Sequence, residues 1–415
     1  MHKDMDMRTV DLESPTKRRF SFGLWPCGGI YHTPRGIKPK TVVISTHYAV
    51  NLSTHYLAEY LTKRGYGFLG WSTRFSRGAL SSGFSLEHAL IDIGVGIRWL
   101  REVEGVEKIV ILGNSGGASL MGTYQSQACH PSIDPGSAPA EELLNLLPAD
   151  MYISLVGHTG RAQSLTEWLD PSVTDENDPL SRDPELDMFD PRNGPPYSAE
   201  FLERYRKAQV ERNHRITRWA EQELQRLREG LPKGDASVPT DEVFGAASAD
   251  AVLDRFFGLS RMFADPRMVD LTLDPSKREY GCYMGDPRQA NYSGYGLAAT
   301  TSIRDWLSMW SLSRTQVKID KLFPHIHQPS LVISGEHDQG CFPSHSQSIF
   351  DALGSAQKKR ERLDGGHYFE APQGNRDELA DVIAGRVSFY DGSEGTAPSF
   401  TATVKDTVNG LTSSP

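Results

Sequence analysis

Short apolar runs alternate with longer amphipathic stretches along the first part of the chain. Four of these runs predict buried strands: 41–46, 66–71, 109–112 and 151–156. The stretch 52–64 and the stretch after Ser85 place apolar residues three and four positions apart, which predicts helices. Strands and helices that alternate in this way are joined by right-handed crossovers and form a mostly parallel sheet.

The alternation stops near Gly157 and resumes only with the apolar run 330–334. The segment between them opens with an acidic, proline-rich loop and continues with a long amphipathic helix predicted over 198–229. We therefore predict three regions along the chain. They are a discontinuous α/β core (20–158 and 326–392), an inserted helical cap or lid (159–325) and a poorly ordered tail (393–415).

Composition and charge narrow the classes of function. The 415 residues carry a formal net charge of −9, which argues against nucleic-acid binding because no basic excess offsets phosphate. No apolar run approaches the roughly 18 residues of a membrane span, and the N-terminus lacks the apolar region of a secretory signal. The four cysteines are widely scattered, so we expect reduced thiols and a cytoplasmic location. We expect no membrane or nucleic-acid partner but a small-molecule substrate, with a homodimer left open.

The apolar run 109–112 leads directly into Gly113-Asn114-Ser115-Gly116-Gly117. This Gly-x-Ser-x-Gly pattern is typical of a serine exposed on a sharp bend between a strand and a helix. Glycines are expected on either side because a Cβ would clash in so tight a turn. Ser115 is therefore a candidate nucleophile, provided that a base takes its proton and a third group orients that base.

Two later strand ends supply the candidate acid and base. Asp338 lies in the loop that follows the run 330–334, and His367 lies in a glycine-flanked loop after the next predicted strand. In a parallel sheet the ends of such strands meet at one edge, so the two side chains and the serine can converge there. Asp364 and Glu336 remain alternatives to Asp338 as the acid.

The order Ser115, Asp338, His367 resembles the order of nucleophile, acid and histidine in the α/β-hydrolase fold. The resemblance covers roughly 40–158 and 326–390. It implies a mostly parallel central sheet flanked by helices, with a large helical cap inserted after the sixth strand. A serine at position 115 makes the chain unlike haloalkane dehalogenases and epoxide hydrolases, which use aspartate there.

Acyl transfer also requires N–H donors for the developing oxyanion. The resemblance implies that one donor is the amide of Gly116 and that the other comes from the loop His47-Tyr48-Ala49. This loop departs from the family's usual His-Gly, because Tyr48 stands where glycine is expected. Ala49 is the first choice for the second amide and Tyr48 the second, with pocket lining as the alternative role of the Tyr48 side chain.

Four polar residues near strand ends are candidates for substrate binding: His47, Arg74, Asn114 and His158. Arg74 either pairs with a substrate carboxylate through two parallel N–H donors or forms a structural salt bridge. The histidines either line the pocket or are ordinary loop residues.

These residues predict a serine hydrolase that cleaves a carboxylic ester, thioester or lactone of a small or medium-sized molecule through an acyl-enzyme on Ser115. This chemistry requires neither a cofactor nor a metal. A C–C bond hydrolase, an acyltransferase or a cyclase would use the same three residues. A non-catalytic small-molecule receptor on the same scaffold is the alternative from another class.

Overall fold

The computed structural model describes residues 4–16, 27–48, 50–76, 84–230 and 255–391. Its central feature is an eight-stranded sheet with the strand order β1-β2-β4-β3-β5-β6-β9-β10. These strands are β1 Met5–Leu12, β2 Cys27–Pro34, β3 Thr41–Ser45, β4 Gly67–Ser72, β5 Lys108–Asn114, β6 Met151–Leu155, β9 Ser330–Gly335 and β10 Lys358–Leu363. The four strands predicted from the apolar runs are present as β3, β4, β5 and β6, each end within two residues of its predicted position.

The sheet is parallel from β4 through β3, β5, β6 and β9 to β10, and antiparallel where β2 joins β1 and β4. Every residue of the central strands β3 and β6 is buried, as expected where helices cover both faces of a parallel sheet. The predicted fold class, a mostly parallel sheet flanked by helices, is therefore confirmed. The carboxyl ends of β5, β9 and β10, which Ser115, Asp338 and His367 follow, point to the same edge.

The helices that flank the sheet or follow it are listed by their bounds. They are α1 Leu57–Thr62, α2 Leu86–Glu102, α3 Gly117–Cys129, α4 Ala140–Leu144, α5 Arg161–Trp168, α6 Ala199–Gly230, α7 Pro287–Ala290, α8 Ile303–Asp305, α9 Ile319–Leu322, α10 Pro343–Ala352 and α11 Asn375–Asp391. Ser85 caps α2 as predicted, since its side chain accepts the N–H of His88. The prediction for 52–64 was wrong in its length, because a turn in which His55 Nδ1 accepts the N–H of Leu57 delays the start of α1.

The chain leaves the sheet after β6 and returns to it at β9. Between them lies α6, which confirms the long helix predicted over 198–229. The same segment also contains a two-stranded antiparallel sheet, β7 Phe256–Gly258 and β8 Thr300–Ser302, where only helices were expected. We call residues 156–329 the inserted segment, and its role as a lid stays a prediction. The predicted tail 393–415 and the predicted start of the core at residue 20 lie outside the described residues.

The inserted segment and the sheet share one hydrophobic core. Ile44 and Tyr152 from the sheet belong to the same cluster of buried side chains as Ile216, Trp306 and Trp310 from the inserted segment. The inserted segment therefore packs directly over the helices and strands that carry the candidate site. In the described ranges, no helix combines the length and the apolarity that crossing a bilayer requires.

Candidate active site

Ser115 occupies the sharp bend between β5 and α3. Its φ of +57° lies in the left-handed region, which a residue with a Cβ adopts only at a cost of about 1–3 kcal/mol. The bend is held by its neighbours, since the N–H of Ser115 donates to the carbonyl of Leu155 at 2.9 Å and its carbonyl accepts the N–H of His158 at 3.1 Å. This is the geometry that the sequence pattern predicts for an exposed nucleophile.

The glycines around Ser115 are required by close packing. A Cβ added to Gly113 would lie 2.4 Å from the Cα of Ala118, and one added to Gly117 would lie 2.5 Å from the carbonyl oxygen of Thr46. Real Cβ atoms do not approach backbone so closely. The crowding expected from the sequence is therefore present.

Asp338 and His367 form a buried hydrogen-bonded pair at the ends of β9 and β10. His367 Nδ1 donates to Asp338 Oδ2 at 2.8 Å, and both side chains are at most 5% exposed. The backbone N–H groups of Gly340 and Cys341 donate to Asp338 Oδ1 at 2.9 Å each, which holds the carboxylate in place. With Nδ1 protonated, Nε2 of His367 is the nitrogen that can accept a proton.

The two alternative acids have other partners. Asp364 Oδ1 lies 3.0 Å from His337 Nε2, and the carboxylate of Glu336 pairs with Arg362 at 2.7 Å. His337, a loop histidine next to the acid, thus faces Asp364. Of the three candidate acids, Asp338 alone is recorded as hydrogen-bonded to His367 in the described ranges.

Tyr283 is a member of the site that the sequence does not reveal. Its hydroxyl donates to Asp338 Oδ1 at 3.2 Å and lies 3.0 Å from His367 Nδ1. Gly340 makes room for it, since a Cβ there would be 2.1 Å from the Tyr283 hydroxyl. Tyr283 lies in the inserted segment, in a turn closed by the Cys282–Gly285 bridge, and no local pattern distinguishes it from the other tyrosines there.

His158 connects the serine bend with the acid–histidine pair. Its backbone N–H bonds the carbonyl of Ser115, while its ring centroid lies 6.5 Å from that of His367. Its own Nδ1 lies 2.8 Å from the hydroxyl of Ser164. Burial, with smaller effects from His345, Arg161, His367 and His47, sets the pKa of His158 well below its usual value, so the ring is neutral at pH 7.

His47 and Arg161 lie directly over Gly116. A Cβ added to Gly116 would be 2.9 Å from His47 Nε2 and 3.0 Å from Arg161 Nη1. His47 Nδ1 accepts the N–H of Val50 at 3.3 Å, and burial, followed by the charges of Arg161 and His367, holds the pKa of His47 well below its usual value. The neutral ring then carries its proton on Nε2, on the side of the serine bend.

The other candidate binding residues have structural partners. Arg74 forms an ion pair with the fully buried Asp92, which it contacts through Nε at 2.8 Å and Nη2 at 2.7 Å. This is the structural alternative left open for Arg74. Asn114 is also buried, and its Oδ1 lies 3.1 Å from His55 Nε2.

Of the two candidates for the second oxyanion amide, only Tyr48 belongs to the described residues. Ala49 lies outside the described residues. The side chain of Tyr48 is buried, with its hydroxyl 3.2 Å from that of Ser119 and its ring 5.5 Å from the guanidinium carbon of Arg161. The Tyr48 ring therefore packs against the guanidinium of Arg161.

Asp338, Cys341 and His367 bring potential metal ligands within 4.8 Å of one another. Both oxygens of Asp338 already accept hydrogen bonds, and burial, followed by the charge of Asp338, raises the pKa of the Cys341 thiol well above its usual value. Nδ1 of His367 is likewise engaged, because it donates to Asp338 Oδ2. These residues fit an acid–histidine pair better than a metal centre.

No family model and no curated protein matches the chain. Among solved structures, it is similar to a hypothetical protein of Pseudomonas aeruginosa, with 13% identity, a TM-score of 0.47 and 94% of each chain covered. It is also similar to an esterase domain from Rhodothermus marinus, with 11% identity, a TM-score of 0.42 and coverage of 91% of this chain and 96% of the other. A further similar structure is an α/β hydrolase from a Penicillium species, with 11% identity, a TM-score of 0.46 and coverage of 93% and 98%. At such low similarity the roles of individual residues rest on the geometry alone.

Proposed function

We propose that the protein is a serine hydrolase that cleaves a carboxylic ester, thioester or lactone of a small or medium-sized molecule. The observation that carries this proposal is the buried Asp338–His367 pair, with 2.8 Å between Oδ2 and Nδ1, at the same sheet edge as the strained bend that holds Ser115. The arrangement matches a nucleophile, a base and a group that orients the base. The neighbouring structures that are esterases have the same kind of fold and are consistent with it.

We propose the following reaction for these residues. His367 Nε2 takes the proton of the Ser115 hydroxyl as Oγ bonds to the acyl carbon, and the carbonyl oxygen becomes an oxyanion. The amide of Gly116 and a second amide, from Ala49 or Tyr48, stabilise that charge together with the N-terminus of α3. The bond to the leaving group then breaks, and His367 returns the proton to the leaving alcohol or thiol. Water, activated by the same histidine, releases the acid from Ser115.

A fluorophosphonate probe tests the proposal. We expect stoichiometric labelling of the wild-type protein on Ser115 and none in Ser115→Ala, because only an activated serine reacts with the probe. Ser348→Ala is the control, since Ser348 is exposed on α10 and its loss should leave labelling intact. Absence of labelling in a correctly folded wild-type protein would instead favour a non-catalytic receptor on this scaffold.

A further inference from the structure

Arg161, the first residue of α5, is a buried cation to which no described residue offers an anionic partner. The residue is 7% exposed, and its Nε is buried with no hydrogen-bond partner. Among the described residues, none forms an ion pair or a hydrogen bond with its guanidinium. A buried charge lowers stability unless it is paired. An unpaired buried arginine therefore indicates a role in binding an anionic ligand.

The surroundings of Arg161 stabilise its charge but do not neutralise it. The guanidinium carbon lies 4.7 Å from the centre of the Trp310 ring and 5.5 Å from that of Tyr48, distances typical of cation–π contacts. Aromatic faces offer no oxygen to the five N–H donors of arginine. Burial lowers the pKa of Arg161 to about 10, so the side chain stays charged at neutral pH.

In the part of the chain that the structure describes, the titratable groups that face Arg161 carry no negative charge at pH 7. Burial raises the pKa of Tyr48 to about 12 and raises that of Cys341 well above its usual value, so both keep their protons. Burial holds the pKa of His47 and of His158 well below the usual range, so both rings are neutral. The positive charge of Arg161 is therefore left for a ligand.

The position of this charge relates it to the proposed chemistry. Arg161 Nη1 lies 3.0 Å from the place that a Cβ on Gly116 would occupy, immediately beside Ser115. Arg161 is also the first residue of the eight-residue helix α5, whose dipole favours an anion near its N-terminus. An anion bound to the Arg161 guanidinium would therefore lie near an acyl group on Ser115.

We propose that Arg161 binds a carboxylate of the substrate, so that the preferred substrate is a monoester or monothioester of a dicarboxylic acid. This inference rests on the proposed hydrolase function and adds the substrate class to it. A guanidinium binds a carboxylate through two parallel N–H donors. Arg161 thus takes the role that the sequence offered to Arg74, whose donors are used by Asp92.

The kinetic test compares charged and neutral esters. The monoethyl esters of malonate, succinate, glutarate and adipate are hydrolysed in parallel with ethyl butyrate, and kcat/KM is measured for each. We expect the best monoester to exceed ethyl butyrate by about ten-fold or more, as a hydrogen bond between charged groups allows. In Arg161→Met this ratio should fall to about one or below, while Arg161→Lys should keep part of it. The exposed Arg192→Met, the control, should keep all of it.

The ratio of kcat/KM for the best monoester to that for ethyl butyrate distinguishes substrate binding from other roles of Arg161. A wild-type protein that shows no preference across the whole series would overturn the inference. So would an Arg161→Met protein that loses the same factor on the charged and the neutral esters, because that result describes an oxyanion donor. The melting temperature is the structural control, since removal of an unpaired buried charge should not lower it.

A binding measurement distinguishes failure of this inference from failure of the proposed function. In Ser115→Ala, calorimetry should detect binding of the preferred monoester, weakened about ten-fold or more by the additional change Arg161→Met. If the wild-type protein neither reacts with the fluorophosphonate nor hydrolyses esters but still binds the monoester through Arg161, the hydrolase proposal fails and the carboxylate site stands. If the protein hydrolyses esters and this binding is absent or independent of Arg161, the carboxylate site fails alone.

Discussion

The hydroxyl of Tyr283 helps decide which nitrogen of His367 carries the proton. The phenol donates to Asp338 Oδ1, so its oxygen lone pairs are left to accept from His367 Nδ1 at 3.0 Å. Nδ1–H is then shared between Asp338 Oδ2 and the phenol oxygen, and Nε2 stays unprotonated. We therefore expect Tyr283 to act as a positioning residue, because its hydroxyl contacts Asp338 and His367.

Replacing Tyr283 with phenylalanine should lower kcat roughly ten-fold while KM changes little, because a hydrogen bond to a charged acceptor is lost without a change in the pocket. The rate of fluorophosphonate labelling should fall by a similar factor, and the melting temperature should hardly move. Tyr292→Phe, an exposed tyrosine in the same segment, is the matched control. A Tyr283→Phe protein with wild-type kcat would exclude the positioning role.

Gly116 is the residue where a single methyl group should disable the site. A Cβ there would push against His47 Nε2 and Arg161 Nη1, which are the far ends of side chains and can move. We therefore expect Gly116→Ala to fold but to lose about a hundred-fold in kcat/KM, as small misplacements in an active site do. Gly294→Ala, where an added Cβ meets nothing within 4 Å, should keep full activity. Equal activity of the two variants would mean that the groups over Gly116 take no part.

A network of charges within the inserted segment also ties that segment to α10 of the core. Glu167 on α5 accepts hydrogen bonds from Arg267 and from His345 on α10, and Arg267 also pairs with the buried Asp265. Burial alone would raise the pKa of Asp265, but Arg206 and Arg267 outweigh it and keep the pKa below its usual value. The pKa of Glu167 is lowered in the same way, chiefly by Arg267 and His345 against the effect of burial.

This network predicts a loss of stability in acid. Because both carboxyl groups have a lower pKa in the folded state, their stabilisation is present above the unfolded-state pKa of about 4 and is lost as the pH falls below it. Arg267→Met should destabilise the fold at pH 7 by about 3–5 kcal/mol and move the midpoint of acid unfolding, followed by tryptophan fluorescence, to higher pH. Arg192→Met, which breaks the exposed pair with Asp190, should shift this midpoint little. Equal shifts in the two variants would contradict the prediction.

The parts of the molecule that depend on local pattern were predictable, and those that depend on long-range packing were not. The strand before Ser115, the cap of α2 at Ser85 and the order of acid and histidine along the chain follow from local residue patterns. The proposed roles of Tyr283 and Arg161 could not be predicted from the sequence, because both depend on how the inserted segment packs against the sheet edge. Arg74 was ambiguous for the same reason, since its partner Asp92 lies on a helix whose pattern shows only its apolar face.

A cluster of buried hydrophobic side chains joins the sheet to the inserted segment. The indole of Trp306 is fully buried in it, and its N–H donates to the hydroxyl of Thr217 on α6 at 3.0 Å. Because the inserted segment and the sheet bury apolar side chains in the same core, we expect them to unfold together.

We therefore expect a single unfolding transition in calorimetry, and Trp306→Ala should lower the stability of the entire protein by about 3–5 kcal/mol. Trp219→Ala is the control, because this indole is 37% exposed on α6 and should cost less. A separate early transition in Trp306→Ala, with the rest of the molecule melting as in the wild type, would show that the two parts fold independently.

The place of Tyr283 also sets a rule for building chimaeric enzymes from this scaffold. Exchanging the region between β6 and β9 for that of another protein would remove the phenol that donates to Asp338, the proposed catalytic acid. A functional hybrid must keep the short turn around Tyr283 together with Gly340, whose missing side chain admits the ring. The segment that carries Arg161, the proposed substrate-binding residue, also carries the hydrogen-bond donor to Asp338.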